Sequence, residues 1–205
     1  MTLRIHGIAA SRAIRPLWAA EELGLAYEHV PLHYDAPEAK ARPYLDLNPN
    51  GTVPVIEDDG LVLFESLAIT LHLARKHPAG GLWPVTPEDQ SRVLQWTLWA
   101  ATEAEPLARQ WFHHTRFLPA PQRRPELAEA ALNALGRRLQ VLDDHLAGRS
   151  WLVGEQFTVA DLNVAAVLQR LADLGGERHP RAMAWHQRCL ARPAAQRAFA
   201  LRQAA

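Results

Sequence analysis

The sequence predicts a chain in two parts, an α/β segment over residues 1–78 and an all-helical segment over residues 87–205. Three observations carry the division. Short strand-like runs alternate with helical ones before residue 78, and only helical periodicity follows it. Asp59-Gly60, a dipeptide suited to a tight hairpin turn, stands between two apolar runs.

The first strand is Leu3-Arg4-Ile5-His6, with strict apolar–polar alternation. Residues 12–23 put Ile14, Leu17, Trp18 and Leu23 on one helical face, and Gly24 is a stop signal. The run "LAYEHVPL" (25–32) is strand-like again. Residues 35–47 carry little pattern and suit a short helix or a mobile loop. Val53–Glu57 and Leu61–Phe64 then flank the Asp59-Gly60 turn, and Ser66 opens a helix to about Arg75. Pro54 is awkward inside this scheme. Proline has no N–H for a ladder and is confined to edges, strand starts and bulges.

In the second part, Thr86-Pro87-Glu88-Asp89 is a helix start with a capping residue, proline at the first position and acids in the first turn. That helix is expected to run through Trp96 and Trp99, with a kink at Pro106. Leu132, Leu135, Leu139, Leu142 and Leu146 recur at spacings of three and four, one face of a bundle helix. In "FTVADL" (157–162), Thr158 and Asp161 form a capping box, and Phe157 and Leu162 hold the two positions of a hydrophobic staple. Asp161 is therefore read as structural rather than catalytic. Most of the seven tryptophans are expected in the core.

Lys+Arg and Asp+Glu are both 22, so no bulk charge favours nucleic acid or a membrane surface. No run approaches the roughly 20 apolar residues of a membrane span, and the first residues lack a signal-peptide pattern. Cys189 is the lone cysteine, which excludes an intrachain disulfide, a CxxC pair and a cysteine zinc cluster. His113 and His114 are adjacent, so helical geometry sends them to different sides and no metal site is expected. These features fit a soluble, cytoplasmic protein.

Four stretches together carry a family resemblance: "SRAIRPLWAAEELGLAYEHV", "NPNGTVPVIEDDG", "FESLAITLHLA" and "WLVGEQFTVADL". Across nearly its whole length the chain resembles the cytosolic glutathione transferases, of a serine-type or unclassified kind. The resemblance implies a thioredoxin-like first domain followed by an α-helical bundle domain, a homodimer, and a detoxifying activity that conjugates glutathione to a small hydrophobic electrophile. It also implies a cis Val53–Pro54 bond, so that Val53 presents its N–H and C=O sideways to the cysteinyl backbone of glutathione, with Thr52 and Pro54 beside it. A trans proline at a sheet edge is the plain alternative. Glu65 and Ser66 match the family's acid-serine or amide-serine pair, for the ammonium and the carboxylate of the γ-glutamyl group. Read by itself, Ser66 is an ordinary N-cap.

Family members hold the glutathione sulfur as thiolate with a Tyr, Ser or Cys near the end of the first strand. "IHGIAAS" has neither Tyr nor Cys, which removes the thiol-disulfide branch and leaves Ser11 as candidate. Ser11 also suits a helix cap, and Arg12 and His6 are alternatives as donors near a thiolate. Thr52 stands where the family often has Lys or Gln, so a cation for the glycine carboxylate must come from Lys40, Arg42 or His33. The electrophile is expected between the two halves, against Trp99, Trp111, Phe112, His113 and His114. A glutathione-dependent isomerase, dehalogenase or peroxidase, and a non-enzymatic ligand-binding scaffold, are the other readings.

Overall fold

The computed structural model describes residues 3–202. The chain forms two compact units, one from the residues up to Val85 together with the stretch from Ala191 on, the other from Thr86–Leu190. The first is thioredoxin-like, the second a helical bundle.

In the first unit the order is β1 (Leu3–His6), α1 (Ile14–Glu22), β2 (Tyr27–Val30), α2 (Tyr44–Leu47), β3 (Val55–Asp58), β4 (Leu61–Phe64) and α3 (Ser66–Lys76). The strands lie in the order β2-β1-β3-β4, with β1 parallel to β2 and antiparallel to β3. Asp59 and Gly60 both have positive φ, 50° and 90°, as a twisted two-residue hairpin turn requires. Alternation along the strands divides the sheet cleanly. Ile5 and Ile56 face each other on the side covered by α1 and α3, where Ile14, Leu17, Trp18, Ile69 and Leu73 complete a dry core. The opposite side carries Arg4 bridging Glu28 and Glu57, and an apolar cluster of Ala39, Tyr44, Val53 and Val55. The poorly patterned 35–47 stretch is ordered as a 3₁₀ turn at Pro37–Lys40 followed by α2.

The last helix, α9 (Pro193–Ala200), belongs to this first unit, whereas the sequence division had kept residues 87–205 together. Arg192 grips the Glu22 carboxylate with two nitrogens at 2.7 and 2.8 Å, and Arg197 Nε meets Glu21 at 2.6 Å. Trp18 and Phe199 meet edge to face at 5.9 Å. These partners are some 170 residues apart in the chain, and local pattern does not reveal them.

The second unit is built of α4 (Pro87–Trp99), α5 (Glu105–Phe112), α6 (Pro125–His145), α7 (Val159–Val167) and α8 (Pro180–Leu190). The break anticipated at Pro106 is a π-helical turn over Ala100–Ala104, just ahead of the proline, and a second π turn spans His113–Phe117. Leu135, Leu139 and Leu142 are buried along α6 and Leu146 just past its end, with Leu132 at the edge. Every residue of α7 is buried, as befits a helix apolar nearly all round. Its start is the expected capping box: Asp161 Oδ2 accepts from Thr158 N–H at 3.0 Å, and Thr158 Oγ1 accepts from Ala160 N–H at 3.3 Å. Asp161 Oδ1 also accepts from Leu152 N–H and the Trp185 indole at 2.9 and 2.8 Å, tying α7 to α8. Of the tryptophans only Trp18, Trp96 and Trp185 are buried; Trp83, Trp99, Trp111 and Trp151 are half-exposed, fewer in the core than expected. No helix among the described residues is long and apolar enough to cross a membrane.

Candidate functional site

The awkward proline marks the centre of the site. The Val53–Pro54 peptide is cis, and β3 begins one residue later at Val55. No hydrogen bond is made by the Val53 N–H or C=O among the described residues, so this backbone edge is open. Val55 pairs with Phe64, and continuing that register sets Pro54 opposite Glu65 and Val53 opposite Ser66. Gly7 closes against Val53 from β1. Its φ is +127°, and a Cβ there would lie 2.8 Å from Ala13 Cβ and 3.0 Å from Val53 Cβ. Glycine is required both by conformation and by this approach.

The loop that presents Val53 is clamped from below. Tyr44 Oη and Asn48 Nδ2 each donate to the Thr52 carbonyl at 2.7 Å, and Asn48 Oδ1 accepts from Asn50 N–H at 3.1 Å. Asn48 is 1% exposed. Burial pushes the Tyr44 hydroxyl up to about 12, which keeps it a donor. Lys40 Nζ donates to the Gly51 carbonyl, placing an ammonium one residue from Thr52. The other two candidate cations are occupied differently. Arg42 pairs with Asp46 at 3.4 Å, and His33 stacks on Tyr34 and accepts from Asp35 N–H.

Glu65 has φ +71° and ψ 104°, a left-handed-side conformation for a non-glycine residue and a local strain of the kind that gathers at binding sites. Its carboxylate is exposed and takes no protein donor among the described residues. Ser66 follows as the first residue of α3, only 3% exposed. Its Oγ accepts from Arg15 Nη1 at 2.9 Å, while no described residue accepts its proton. Arg15 is itself 4% exposed, on α1. The sequence reading did not single it out.

Ser11 lies in the turn before α1. Its hydroxyl donates to Ile8 C=O at 2.7 Å and accepts from Ala13 N–H at 3.1 Å. These bonds hold the turn, whereas α1 begins at Ile14 with Ala13 as its N-cap and no side-chain cap, so Ser11 is not the helix cap the sequence suggested. His6 is buried with Nε2 against Glu57 at 2.8 Å, and Arg12 is exposed at the helix start. Among the described residues no cluster of three or more His, Cys, Asp or Glu is placed to hold a metal.

In the second unit, Trp111 and Phe112 meet edge to face at 4.8 Å, and Arg116 lies over both rings at 5.8 and 5.6 Å. The His113 and His114 rings are 5.4 Å apart at the start of the second π turn. Trp99 packs against Trp96 on α4 at 5.2 Å.

Chemically, the first unit offers an open peptide edge, an unpaired carboxylate and a buried hydroxyl at a helix N-terminus. Together these suit an extended zwitterionic peptide.

Comparison with known proteins agrees on one family. Residues 1–75 match the glutathione S-transferase N-terminal domain, and residues 105–193 the glutathione S-transferase C-terminal domain. A glutathione S-transferase of Hyoscyamus muticus is 31% identical over 213 residues, covering 99% of this chain and 100% of its own. Elongation factor 1-gamma of Rattus norvegicus is 31% identical over 191 residues, 89% of this chain but 42% of that protein. The crystal structure of a theta class glutathione S-transferase from Xanthomonas axonopodis pv. citri, with glutathione bound, superposes with a TM-score of 0.87 at 32% identity, covering 96% of both chains. With both domain models matched and the fold shared end to end, the chain belongs to the glutathione S-transferase family.

Proposed function

We propose that the protein binds glutathione in its first unit and conjugates it to a small apolar electrophile. The open Val53 backbone edge, in register with Ser66, carries this reading. The cysteinyl backbone adds to it as a short strand. The γ-glutamyl carboxylate takes the Ser66 proton and the N–H groups of α3, and Glu65 takes the ammonium. Lys40, held at Gly51, supplies the cation for the glycine carboxylate that Thr52 cannot. Ser11 stabilises the thiolate by turning its hydroxyl from Ile8 C=O to the sulfur, at the N-terminus of α1. The half-exposed rings of Trp99, Trp111 and Phe112 suit a flat electrophile.

The reading extends to a cytoplasmic homodimer. It draws on the apolar residues Leu61, Val62 and Phe64 exposed along the edge strand β4, which a second copy would cover. Glutathione-dependent isomerase, dehalogenase or peroxidase activity would use the same thiolate. A second reading, a non-enzymatic module, is favoured by the likeness to elongation factor 1-gamma and by the engagement of the Ser11 hydroxyl with the backbone.

Calorimetric titration with glutathione, thiolate absorbance against pH, and turnover of a chromogenic aryl halide test the proposal together. Micromolar to millimolar binding with a lowered thiol pKa and conjugate formation is expected. Binding without thiolate or turnover leaves the scaffold reading, and absence of binding overturns both the site and the activity.

A further inference from the structure

We propose that a cleft between α2 and the outer face of the sheet is a second small-molecule site, which takes a small neutral hydroxyaromatic with its O–H on His6 Nδ1. The cleft lies within the first unit. Ser11, Lys40, Thr52, Val53, Glu65 and Ser66 do not line it, so the inference goes beyond the glutathione reading.

Alternation along β1 sends His6, like Arg4, to the face away from α1 and α3. The cleft above it has a volume of about 280 Å³. A dry protein cavity of roughly 150 Å³ already admits benzene, so there is room for one or two fused rings. Its walls are apolar: Leu32, Ala41, Pro43, Tyr44 and Leu47. Leu32 and Leu47 pack on one side against the buried cluster of Ala39, Tyr44, Val53 and Val55, and on the other they face the cleft. The His6 and Tyr44 rings form a corner, 6.0 Å between centroids and inclined at 57°. A flat ring seated there stacks on one and meets the other edge-on.

His6 supplies the polar group. It is 7% exposed, and its Nε2 meets Glu57 Oε1 at 2.8 Å, an oxygen that Arg4 Nη1 also reaches at 3.3 Å. A carboxylate only accepts, so Nε2 carries the proton and Nδ1 of the neutral ring is an acceptor. No described residue bonds Nδ1, and the atom is not sealed in the interior, so its lone pair opens into the cleft that the ring lines. The carboxylate on the far nitrogen strengthens the near one as an acceptor. The Tyr44 hydroxyl is already engaged by Thr52 C=O and contributes only its ring. At the rim Glu38 and Arg42 are exposed and opposite in charge, and Arg42 is paired with Asp46, so an anion gains nothing over a neutral ligand. One donor on a flat apolar body is what remains, which is a phenol.

Equilibrium dialysis of 2-naphthol and of naphthalene against wild type, His6→Phe and Ala41→Trp tests this without glutathione, at about pH 8 where imidazole is ordinarily neutral. Wild type should bind 2-naphthol with sub-millimolar affinity and naphthalene roughly five- to tenfold more weakly. His6→Phe keeps a flat ring without an acceptor. It should weaken 2-naphthol by about that factor and change naphthalene less than about twofold. Ala41→Trp fills the cleft from an exposed position and should weaken both ligands at least about tenfold. In wild type carrying ¹⁵N-labelled histidine, 2-naphthol should move one Nδ1 resonance, the one missing from His6→Phe. Absence of 2-naphthol binding to wild type overturns the proposal, and so does unchanged 2-naphthol affinity in either variant, which would put the ligand elsewhere. Equal losses of both ligands in His6→Phe would make the ring a wall without a hydrogen bond and overturn it as well. Where His6→Phe does not fold, the resonance decides: a shift in wild type that Ala41→Trp abolishes supports the proposal, and unmoved Nδ1 resonances overturn it.

Discussion

The Ser11 hydroxyl donates to the Ile8 carbonyl at 2.7 Å while accepting from Ala13 N–H at 3.1 Å, so the candidate thiol activator is engaged by its own turn. Moving the proton to a thiolate exchanges a neutral bond for a charge-assisted one, which is favourable. Ser11→Ala should therefore leave glutathione affinity nearly unchanged, raise the bound thiol pKa by about one unit and lower kcat by roughly ten- to a hundredfold. It should also cost about 1 kcal/mol of stability through the lost turn. A lower Tm with unaltered thiol pKa and kcat would make Ser11 a turn residue only and move the search to Arg12 or a backbone N–H.

Ser66→Ala should fail in binding instead. The lost contact is charge-assisted, worth about 1.5–3 kcal/mol, so glutathione should bind roughly ten- to a hundredfold more weakly. Calorimetry reads this directly, and wild-type affinity would remove Ser66 from the site.

Much of this fold was legible because its signals are local. The Asp59-Gly60 turn, the alternation of β1 and the capping box at Thr158 are short-range rules that packing did not override. Pro54 was readable as an anomaly, and the family resemblance explained it. Arg15 was not readable, since a charged residue near a helix start looks solvated until α1 is seen to pack on α3. The strain at Glu65 is equally silent, because no glycine or asparagine advertises its positive φ. The clamp of Asn48 and Tyr44 on Thr52 needs side chains from separate short elements to converge on one carbonyl. The return of α9 to α1 depends on charge pairs far apart in the chain.

Lys40 gives a test of the other end of glutathione. Lys40→Met should raise the glutathione KM about tenfold with kcat unchanged, since the contact is formed equally in ground and transition states. The glycine monoethyl ester, which lacks that carboxylate, should be bound alike by both proteins. An equal loss on acid and ester would mean that Lys40 only holds the Gly51 loop in place.

Asp161 accepts four donors in a buried place, so its removal strands the Leu152 and Thr158 N–H groups and the Trp185 indole together. Asp161→Ala should cost about 3 kcal/mol or more, several times an ordinary cap. Urea unfolding reads the difference, and a cost under about 1 kcal/mol would reduce Asp161 to a simple cap.

His186 links stability to pH. The ring is buried on α8, with Nε2 3.3 Å from Ala165 C=O, and burial pulls its pKa down to about 4 against the backbone carbonyls of Ala165 and Leu168. In the unfolded chain the ordinary value of 6.5 applies. Between these values the unfolded state holds the extra proton, so stability is fully present above about pH 6.5 and declines as pH falls toward 4. From pH 7 to 5 the loss should be about 2 kcal/mol. His186→Gln keeps a donor for Ala165 C=O but does not titrate, so its unfolding free energy should change less over that interval by the same amount. The comparison stays above the carboxylate range, where Asp58 is ionised: burial raises its pKa, but Lys76 and His72 together hold it below its usual value. Parallel pH profiles for wild type and His186→Gln would show that the ring is protonated without cost in the folded protein.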